Sequence, residues 1–162
     1  MGRVSLTSYY RDSEAPKPNV SRRIGVTALI ERDGTILVEH RADNVADEWA
    51  FIGGGLGDDE SLVGALHREV REETGLEIGH ATLFGLFSDP TRIIAYPDGN
   101  VCSFVSIVFR VVPVGTAKAT LSAESREMRF VSRRKLATLE FWPTQRPIRD
   151  AYLSDDGHVV VA

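Results

Sequence analysis

Residues 54–76 read GGLGDDESLVGALHREVREETGL, and this stretch decides how the chain around it folds. A glycine-rich lead, a helical pattern and a glycine stop at Gly75 predict a loop, a helix and a cap. At about 100° per residue, the helix carries one apolar stripe. The stripe consists of Leu62, Ala65, Leu66 and Val70. Glu69 and Glu73 fall inside it and Glu72 lies at its edge, whereas a surface helix normally keeps its carboxylates on the opposite face.

Three carboxylates turned toward the protein body indicate a metal site. Unpaired acids in such a position are costly, so they normally meet cations or metal ions. Side chains at i, i+3 and i+4 converge on one point, and oxygen ligands suit Mg²⁺ or Mn²⁺, which also bind substrate phosphates. A solvated acidic face balanced by Arg68 and Arg71 is the alternative. The position of the acids within the apolar stripe favours the metal site.

The spacing also carries a family resemblance. Gly54 is followed after five residues by Glu60, and after seven more by the run REVREETGL at 68–76. This pattern resembles a complete Nudix box, G-x5-E-x7-R-E-U-x-E-E-x-G-U, in which U is aliphatic. The resemblance implies an α/β fold with a single domain, an α/β/α sandwich around a mixed β-sheet. It also implies a hydrolase that acts on phosphoric anhydrides.

The resemblance assigns roles to residues of the box. It implies that Mg²⁺ or Mn²⁺ is coordinated by the helical acids and by one glycine carbonyl: Glu69, Glu72, Glu73, and Gly53 or Gly54. The position of Glu69 does not separate a metal ligand from the base that activates water. Divalent ions suit pyrophosphate hydrolysis because they neutralise phosphate charge and lower the pKa of bound water.

Two further roles follow from the resemblance. Arg68 and Glu60 are expected to form an ion pair that orients the helix. Relatives often add an acid from outside the box, a few residues ahead of an aromatic strand residue, and both Glu124 and Glu127 stand in such a place. Glu124 is the preferred accessory ligand or base. The predicted catalytic residues are therefore Glu69, Glu73, Glu124 and Arg68.

Composition limits the class of protein. The 162 residues, 43% hydrophobic and 26% charged, suit one globular domain. The formal charge of −4 argues against a stable nucleic-acid partner but is compatible with a small nucleotide substrate. The single Cys102 excludes an internal disulfide, and no run approaches the roughly 20 apolar residues of a membrane span. The N-terminus lacks the apolar core of a secretory signal, so a cytoplasmic protein without membrane contact is expected.

The remaining chain has the pattern of strands followed by helices. Residues 1–20 are polar and contain two prolines, which predicts a flexible N-terminal arm or an irregular lead-in to a Nudix domain at 21–162. Alternating or continuous apolar runs predict strands, and capping residues predict helices. The predicted elements are a hairpin turning at 33–34, strands at 49–52, 76–87, 101–114 and 128–131, and helices at 132–139 and 144–153.

Substrate contacts are expected outside the box. Arg41 ends a strand near the predicted cleft, where it would meet phosphate, with a plain surface role as the alternative. Trp49, Phe51 and Tyr96 would stack on a base unless they pack in the core. Relatives acting on ADP-ribose carry a proline a short way beyond the box, and Pro90 lies close to that place. A nucleoside diphosphate linked to another moiety, such as ADP-ribose or a nucleotide sugar, is therefore favoured over a nucleoside triphosphate.

Two other classes of function are compatible with the same scaffold. A non-catalytic nucleotide-binding sensor commonly loses box carboxylates, whereas this chain keeps them. An isomerase related to isopentenyl diphosphate isomerase pairs a catalytic cysteine with an acid, whereas Cys102 is expected in a buried strand. Relatives are often dimers, which leaves a homodimer open.

Overall fold

Alternating apolar residues and turn signals divide the chain into strands and helices. The computed structural model describes residues 6–43 and 46–162. Within these residues the strands are β1 (Thr7–Tyr9), β2 (Arg23–Arg32), β3 (Thr35–Arg41), β4 (Trp49–Ala50), β5 (Ile52–Gly55), β6 (Ile78–Phe87), β7 (Ile93–Ala95), β8 (Val101–Pro113), β9 (Ser125–Ser132) and β10 (Val160–Val161). The helices are α1 (Leu62–Thr74), α2 (Arg133–Leu136) and α3 (Arg146–Leu153), and a 3₁₀ turn at Pro143–Gln145 precedes α3.

The predicted strands and helices are present, with bounds that differ by a few residues. Asp33 and Gly34 have φ values of 51° and 75°, which match the type I′ turn that joins twisted antiparallel strands. Helix α1 occupies the box, and β8 fills the run predicted as the central strand. No helix among the described residues combines the length and apolar character that crossing a bilayer demands.

The sheet is mixed and is organised around β8. Strand β8 pairs in parallel with β2, from Arg23 opposite Phe104 to Ile30 opposite Val111, and antiparallel with β6 and β7. Strand β2 pairs antiparallel with β5 along its first half and with β3 only at the hairpin end. Strand β3 then continues beside β9 and β4. Strand β2 therefore changes partner between Ala28 and Glu31, next to the Ile52 end of β5.

Apolar side chains on the two faces of the sheet form two cores, which gives the predicted α/β/α sandwich. One core joins the inner face of α1 to the sheet, and its buried members include Val26, Ala28, Ile30, Ala65, Leu66 and Val70. The other lies under α3 and includes Leu29, Phe51, Phe84, Phe141, Ile148 and Tyr152. Helix α1 therefore packs on one face of the sheet and α3 on the other.

The N-terminal arm differs from the prediction over the residues the structure describes. Thr7–Tyr9 is not irregular: it forms β1, which pairs antiparallel with β7. Ser8 is buried and its side chain contacts the segment before α3. Local periodicity did not reveal this strand because its partner lies far away in the sequence. Residues 1–5 of the predicted arm lie outside the described residues.

Candidate active site

Helix α1 is capped at both ends. Ser61 Oγ accepts the N–H of Gly64 at 3.0 Å, which satisfies one of the free amides of the first turn. Gly75 has a φ of 70° and donates its N–H to the carbonyl of Arg71 at 2.9 Å. This left-handed conformation costs glycine little, so Gly75 is the predicted stop. The caps fix the ends of the helix, and burial of Ala65, Leu66 and Val70 turns its acids toward the glycine-rich loop.

Arg68 ties the helix to that loop. Its Nε lies 2.9 Å from Glu60 Oε2, its Nη2 lies 2.5 Å from Glu60 Oε1, and Nη2 also donates to the carbonyl of Gly55 at 3.0 Å. Glu60 additionally accepts the N–H of Gly57 at 2.7 Å. The hydrogen bond from Arg68 and then that from Gly57 lower the pKa of Glu60 to about 2. The predicted ion pair is therefore present, and it joins the first and last parts of the box.

The three helical acids line one cleft beside the glycines. Glu69 Oε1 lies 2.7 Å from Arg68 Nη1, and Glu72 Oε2 lies 3.3 Å from the same nitrogen. Glu73 is only 5% exposed, and its Oε2 accepts the N–H of Gly53 at 3.4 Å. The three acids thus share one cleft, and two of them are held by an arginine.

Arg41 stands opposite the helical acids, surrounded by four carboxylates. Its Nε lies 3.0 Å from Asp43 and its Nη2 lies 3.4 Å from Glu124. Its Nη1 lies 3.6 Å from Glu39 and 3.9 Å from Glu73. Burial alone would lower the pKa of Arg41, but the surrounding carboxylates raise it above its ordinary value. Arg41 is therefore a permanent cation.

Negative charge exceeds positive charge in the cleft, and the carboxyl pKa values reflect this. Burial, and next the charge of Glu39, raise the pKa of Glu73 to about 9 despite the nearby Arg41. Burial also raises the pKa of Glu39, which accepts a hydrogen bond from Ser125 Oγ, and that of Glu69. A bound divalent cation would stabilise the ionised form of these buried carboxylates.

The oxygen donors of the cleft fit a hard divalent ion. In this structure, however, the helical acids contact the arginines Arg41 and Arg68. The cleft offers carboxylates and glycine carbonyls, the oxygen donors that Mg²⁺ and Mn²⁺ prefer. Over residues 6–43 and 46–162, no three His, Cys, Asp or Glu side chains are grouped so that they could hold one ion. Bringing three carboxylates onto one ion therefore requires these side chains to move closer together.

The cleft is a cavity of about 310 Å³ with two chemically different halves. Charged and glycine residues line one half, and aromatic and aliphatic residues line the other. The first group is Arg41, Gly53, Gly54, Gly55, Glu69, Glu72, Glu73 and Glu124. The second group is Leu6, Ile94, Tyr96, Phe104 and Trp142, with Ser106, Thr144 and Gln145 as neutral polar neighbours.

Two of the four predicted substrate contacts do not reach this cleft. Arg41 and Tyr96 line it, but Phe51 is 1% exposed and packs on Phe141 with ring centroids 4.8 Å apart. Trp49 is also buried and meets His40 edge to face at 5.2 Å. The prediction was wrong for Trp49 and Phe51, because the core below α3 takes both side chains.

The two candidate accessory acids and the lone cysteine have different surroundings in the structure. Glu124 lines the cleft and reaches Arg41, whereas Glu127 pairs with Arg129 beside a different, open pocket. Cys102 lies buried in β8 and is absent from the residues lining the cleft. Its position does not suit the cysteine-dependent isomerase.

Two buried groups of the site were missed by sequence reasoning. Glu39 is 1% exposed. The sequence signal for its burial is that it lies two residues after Leu37 and therefore shares its face of β3. Arg92 is also 1% exposed and donates to the carbonyls of Phe87, Phe104 and Thr144 at 2.6–3.1 Å. Burial lowers the pKa of Arg92 to about 10. No local pattern distinguishes this arginine from others in a loop.

Fold and site together define a class of protein: an α/β sandwich with a carboxylate-lined cleft beside a glycine-rich loop. The model of the NUDIX domain matches residues 21–152. The chain therefore belongs to the Nudix family.

Individual relatives carry the names of different enzymes. An RNA pyrophosphohydrolase of Xanthomonas oryzae is 33% identical over 97 residues, which cover 56% of this chain and 44% of the relative. The nucleoside triphosphatase NudI of Salmonella paratyphi B is 38% identical over 83 residues, covering 49% and 59%. The chain thus spans about half the length of these curated relatives. The crystal structure of a MutT protein from Methanosarcina mazei superposes with a TM-score of 0.65 at 26% identity, covering 88% of this chain and all of that one.

Proposed function

We propose that this protein is a Mg²⁺- or Mn²⁺-dependent pyrophosphohydrolase that cleaves a nucleoside diphosphate linked to another moiety, of the ADP-ribose or nucleotide-sugar type. One observation carries the proposal: the glycine-rich loop, the three helical acids and Arg41 line a single cleft that continues into an aromatic half. A diphosphate bridges two groups, and this cleft offers a charged place for the bridge beside an apolar place for one of its substituents.

The residues of the chain have separate roles in this proposal. Arg41 binds a phosphate oxygen, since a permanent cation stabilises the charge that develops on the phosphoryl group. The Glu60–Arg68 pair holds the loop against α1, and Glu124 at the cleft edge accepts a proton from water or completes the metal shell. Divalent ions held by Glu69, Glu72, Glu73 and a glycine carbonyl would supply Lewis acidity and a water of lowered pKa. Water then adds across the P–O–P bridge and yields two phosphate-ended products.

The proposal is tested with a panel of nucleotide substrates and purified protein in Mn²⁺ or Mg²⁺. We expect ADP-ribose or a nucleotide sugar to give a nucleoside monophosphate and a sugar phosphate, and chelation to stop turnover. Glu72→Gln and Glu73→Gln should each lower kcat/KM by more than about tenfold, the scale expected for residues acting on the reacting centre. Glu77→Gln is the matched control, because Glu77 pairs with Arg71 at the surface. Variants of Glu72 and Glu73 that retain turnover within tenfold would contradict the metal roles.

A nucleoside triphosphate is the second candidate substrate, favoured by the likeness to the relative named nucleoside triphosphatase NudI. The same panel separates the two, because a triphosphate would release a nucleoside monophosphate and pyrophosphate. Tight nucleotide binding without turnover of any panel member would instead favour a ligand sensor.

A further inference from the structure

The N-terminal strand β1 lies before the matched family region of 21–152, and Leu6, the residue just ahead of this strand, lines the cleft. Strand β1 pairs with β7 so that Ser8 stands opposite Ile94. Leu6, just ahead of it, packs against the small apolar cluster of Ala50, Ile94 and Trp142 and lines the cavity. The apolar half of the cleft therefore depends on residues outside the matched region.

Strand β1 also fixes the segment that carries the tryptophan. Ser8 Oγ donates to Thr144 Oγ1 at 3.0 Å and accepts the N–H of Thr144 at 2.9 Å. Both residues are buried, so this reciprocal pair is shielded from water. Thr144 follows Trp142 by two residues at the 3₁₀ turn before α3. The pair therefore holds the backbone next to Trp142 at a set distance from β1.

The aromatic rings of this half have cations beside them. The Arg41 guanidinium carbon lies 5.7 Å from the centre of the Trp142 ring, and that of Arg23 lies 4.6 Å from the centre of the Tyr96 ring. Arg41 thus links Trp142 to the acidic half, where the diphosphate of the proposed substrate would lie. A planar group attached to that diphosphate would meet Trp142, Tyr96 and Phe104.

We propose that β1 and the residue ahead of it form a specificity element: Leu6 and the Ser8–Thr144 pair build a wall that, with Trp142, selects substrates bearing an aromatic nucleobase. This inference rests on the proposed function, and it adds which part of the chain recognises the nucleoside. Ser8 acts as a positioning residue through Thr144, while Leu6 contacts the base.

Binding of two monophosphates that differ by one base tests the wall without turnover. Trp49 and Trp142 are the two tryptophans of the chain, so Trp142 becomes the sole tryptophan reporter in a Trp49→Phe background. AMP should quench its emission and bind at least about tenfold more tightly than ribose 5-phosphate, which is the scale of one base–aromatic stack. Equal affinity for the two compounds would overturn the proposal.

Variants of β1 then separate recognition from folding. Leu6→Ala and Ser8→Ala should each weaken AMP binding by about three- to tenfold, through lost contact and lost positioning of Trp142. Binding of ribose 5-phosphate should not change. Leu83→Ala and Ser13→Ala are the matched controls, because both residues are exposed and outside the cleft. Leu6 is only half-buried, so Leu6→Ala keeps the proposal testable should Ser8→Ala fail to fold.

Turnover provides the second readout. For the substrate identified by the panel, KM should rise in Leu6→Ala and Ser8→Ala while kcat stays within about twofold, since uniform binding is lost. Unchanged AMP affinity and KM in both variants would refute the role of β1 and leave the hydrolase assignment standing. Selective AMP binding without hydrolysis of any nucleotide would refute the hydrolase and leave the wall in place.

Discussion

The carboxylate of Glu69 lies against the backbone of Gly54, in the space that any Cβ on residue 54 would occupy. The first glycine of the box and the first acid of its triplet are therefore in direct contact across the cleft. A side chain at position 54 would displace the group assigned to metal binding or water activation.

Gly54→Ala should therefore lower activity with little loss of fold. The added methyl group pushes Glu69 aside, and we expect kcat to fall by about 100-fold, a loss typical of small misplacements at a reacting centre. Steady-state kinetics and circular dichroism measure the two effects. Gly79→Ala is the control, because a Cβ there meets only ordinary contacts, the nearest at 3.8 Å. Equal kinetic losses in the two variants would show that the Glu69–Gly54 contact is irrelevant.

Glu73→Gln should stabilise the metal-free protein. The pKa of Glu73 is raised to about 9, mainly by burial, from an ordinary value of 4.5. Between these values the folded state holds more protons than the unfolded state, so this group makes stability fall as pH rises through that window. Glutamine removes the ionisation, and Tm at pH 8 without divalent ions should rise by at least about 2–4 °C, roughly 1 kcal/mol for a chain of this size.

The exposed Glu72 supplies the control for that experiment, because Glu72→Gln should leave Tm nearly unchanged in the absence of ions. Adding Mn²⁺ should raise Tm of the wild type more than that of Glu73→Gln, since binding to the folded state stabilises it. A lower Tm of Glu73→Gln without ions would mean that Glu73 is stabilised as a carboxylate by Arg41.

Glu60→Gln should weaken the dependence of the free energy of unfolding on pH at acidic pH. Arg68 lowers the pKa of Glu60 to about 2, so the ion pair contributes stability above pH 4.5, and this contribution is lost as pH falls toward 2. The variant should be less stable than the wild type at pH 6, and the difference should shrink at pH 3. Urea denaturation midpoints at both values measure this. Asp59→Asn, one residue earlier, should keep the wild-type pH dependence.

Glu124 and Glu127 form a matched pair for locating the accessory acid. Glu124→Gln should reduce kcat by at least about tenfold, because general acid–base groups contribute on that scale or more. Glu127→Gln should change kcat by less than twofold, because its side chain pairs with Arg129 outside the cleft. The reverse order of effects would identify Glu127 as the accessory acid after all.

Local patterns sufficed for the elements that carry the box. The spacing of Gly54, Glu60 and Glu73, the apolar stripe of α1 and the Gly75 stop are properties of one contiguous helix and its flanks. Helical periodicity and capping depend on neighbours within a few residues, so they can be inferred from sequence. The central strand β8 was predictable for a similar reason, its long β-branched and aromatic run.

Long-range pairings were not available from such patterns. Glu39 and Glu73 face each other only because β3 and α1 meet at the cleft, and Arg92 is buried only because loop and strand carbonyls surround it. In the sequence, Trp49 and Phe51 resemble base-stacking residues. In the folded chain, both are buried in the core under α3. Burial and contact are decided by distant parts of the chain, which no short window contains.

The sequence by itself determined that one helix presents three acids beside a glycine-rich loop, because that arrangement is local. Only the tertiary structure decided which side chains complete the cleft: Arg41 and Glu124 on one side, and Leu6, Tyr96 and Trp142 on the other. The physical reason is that the cleft lies beside the paired residues Val26–Gly54 and Thr27–Gly53 of β2 and β5, where long-range packing brings together segments that are far apart in the chain.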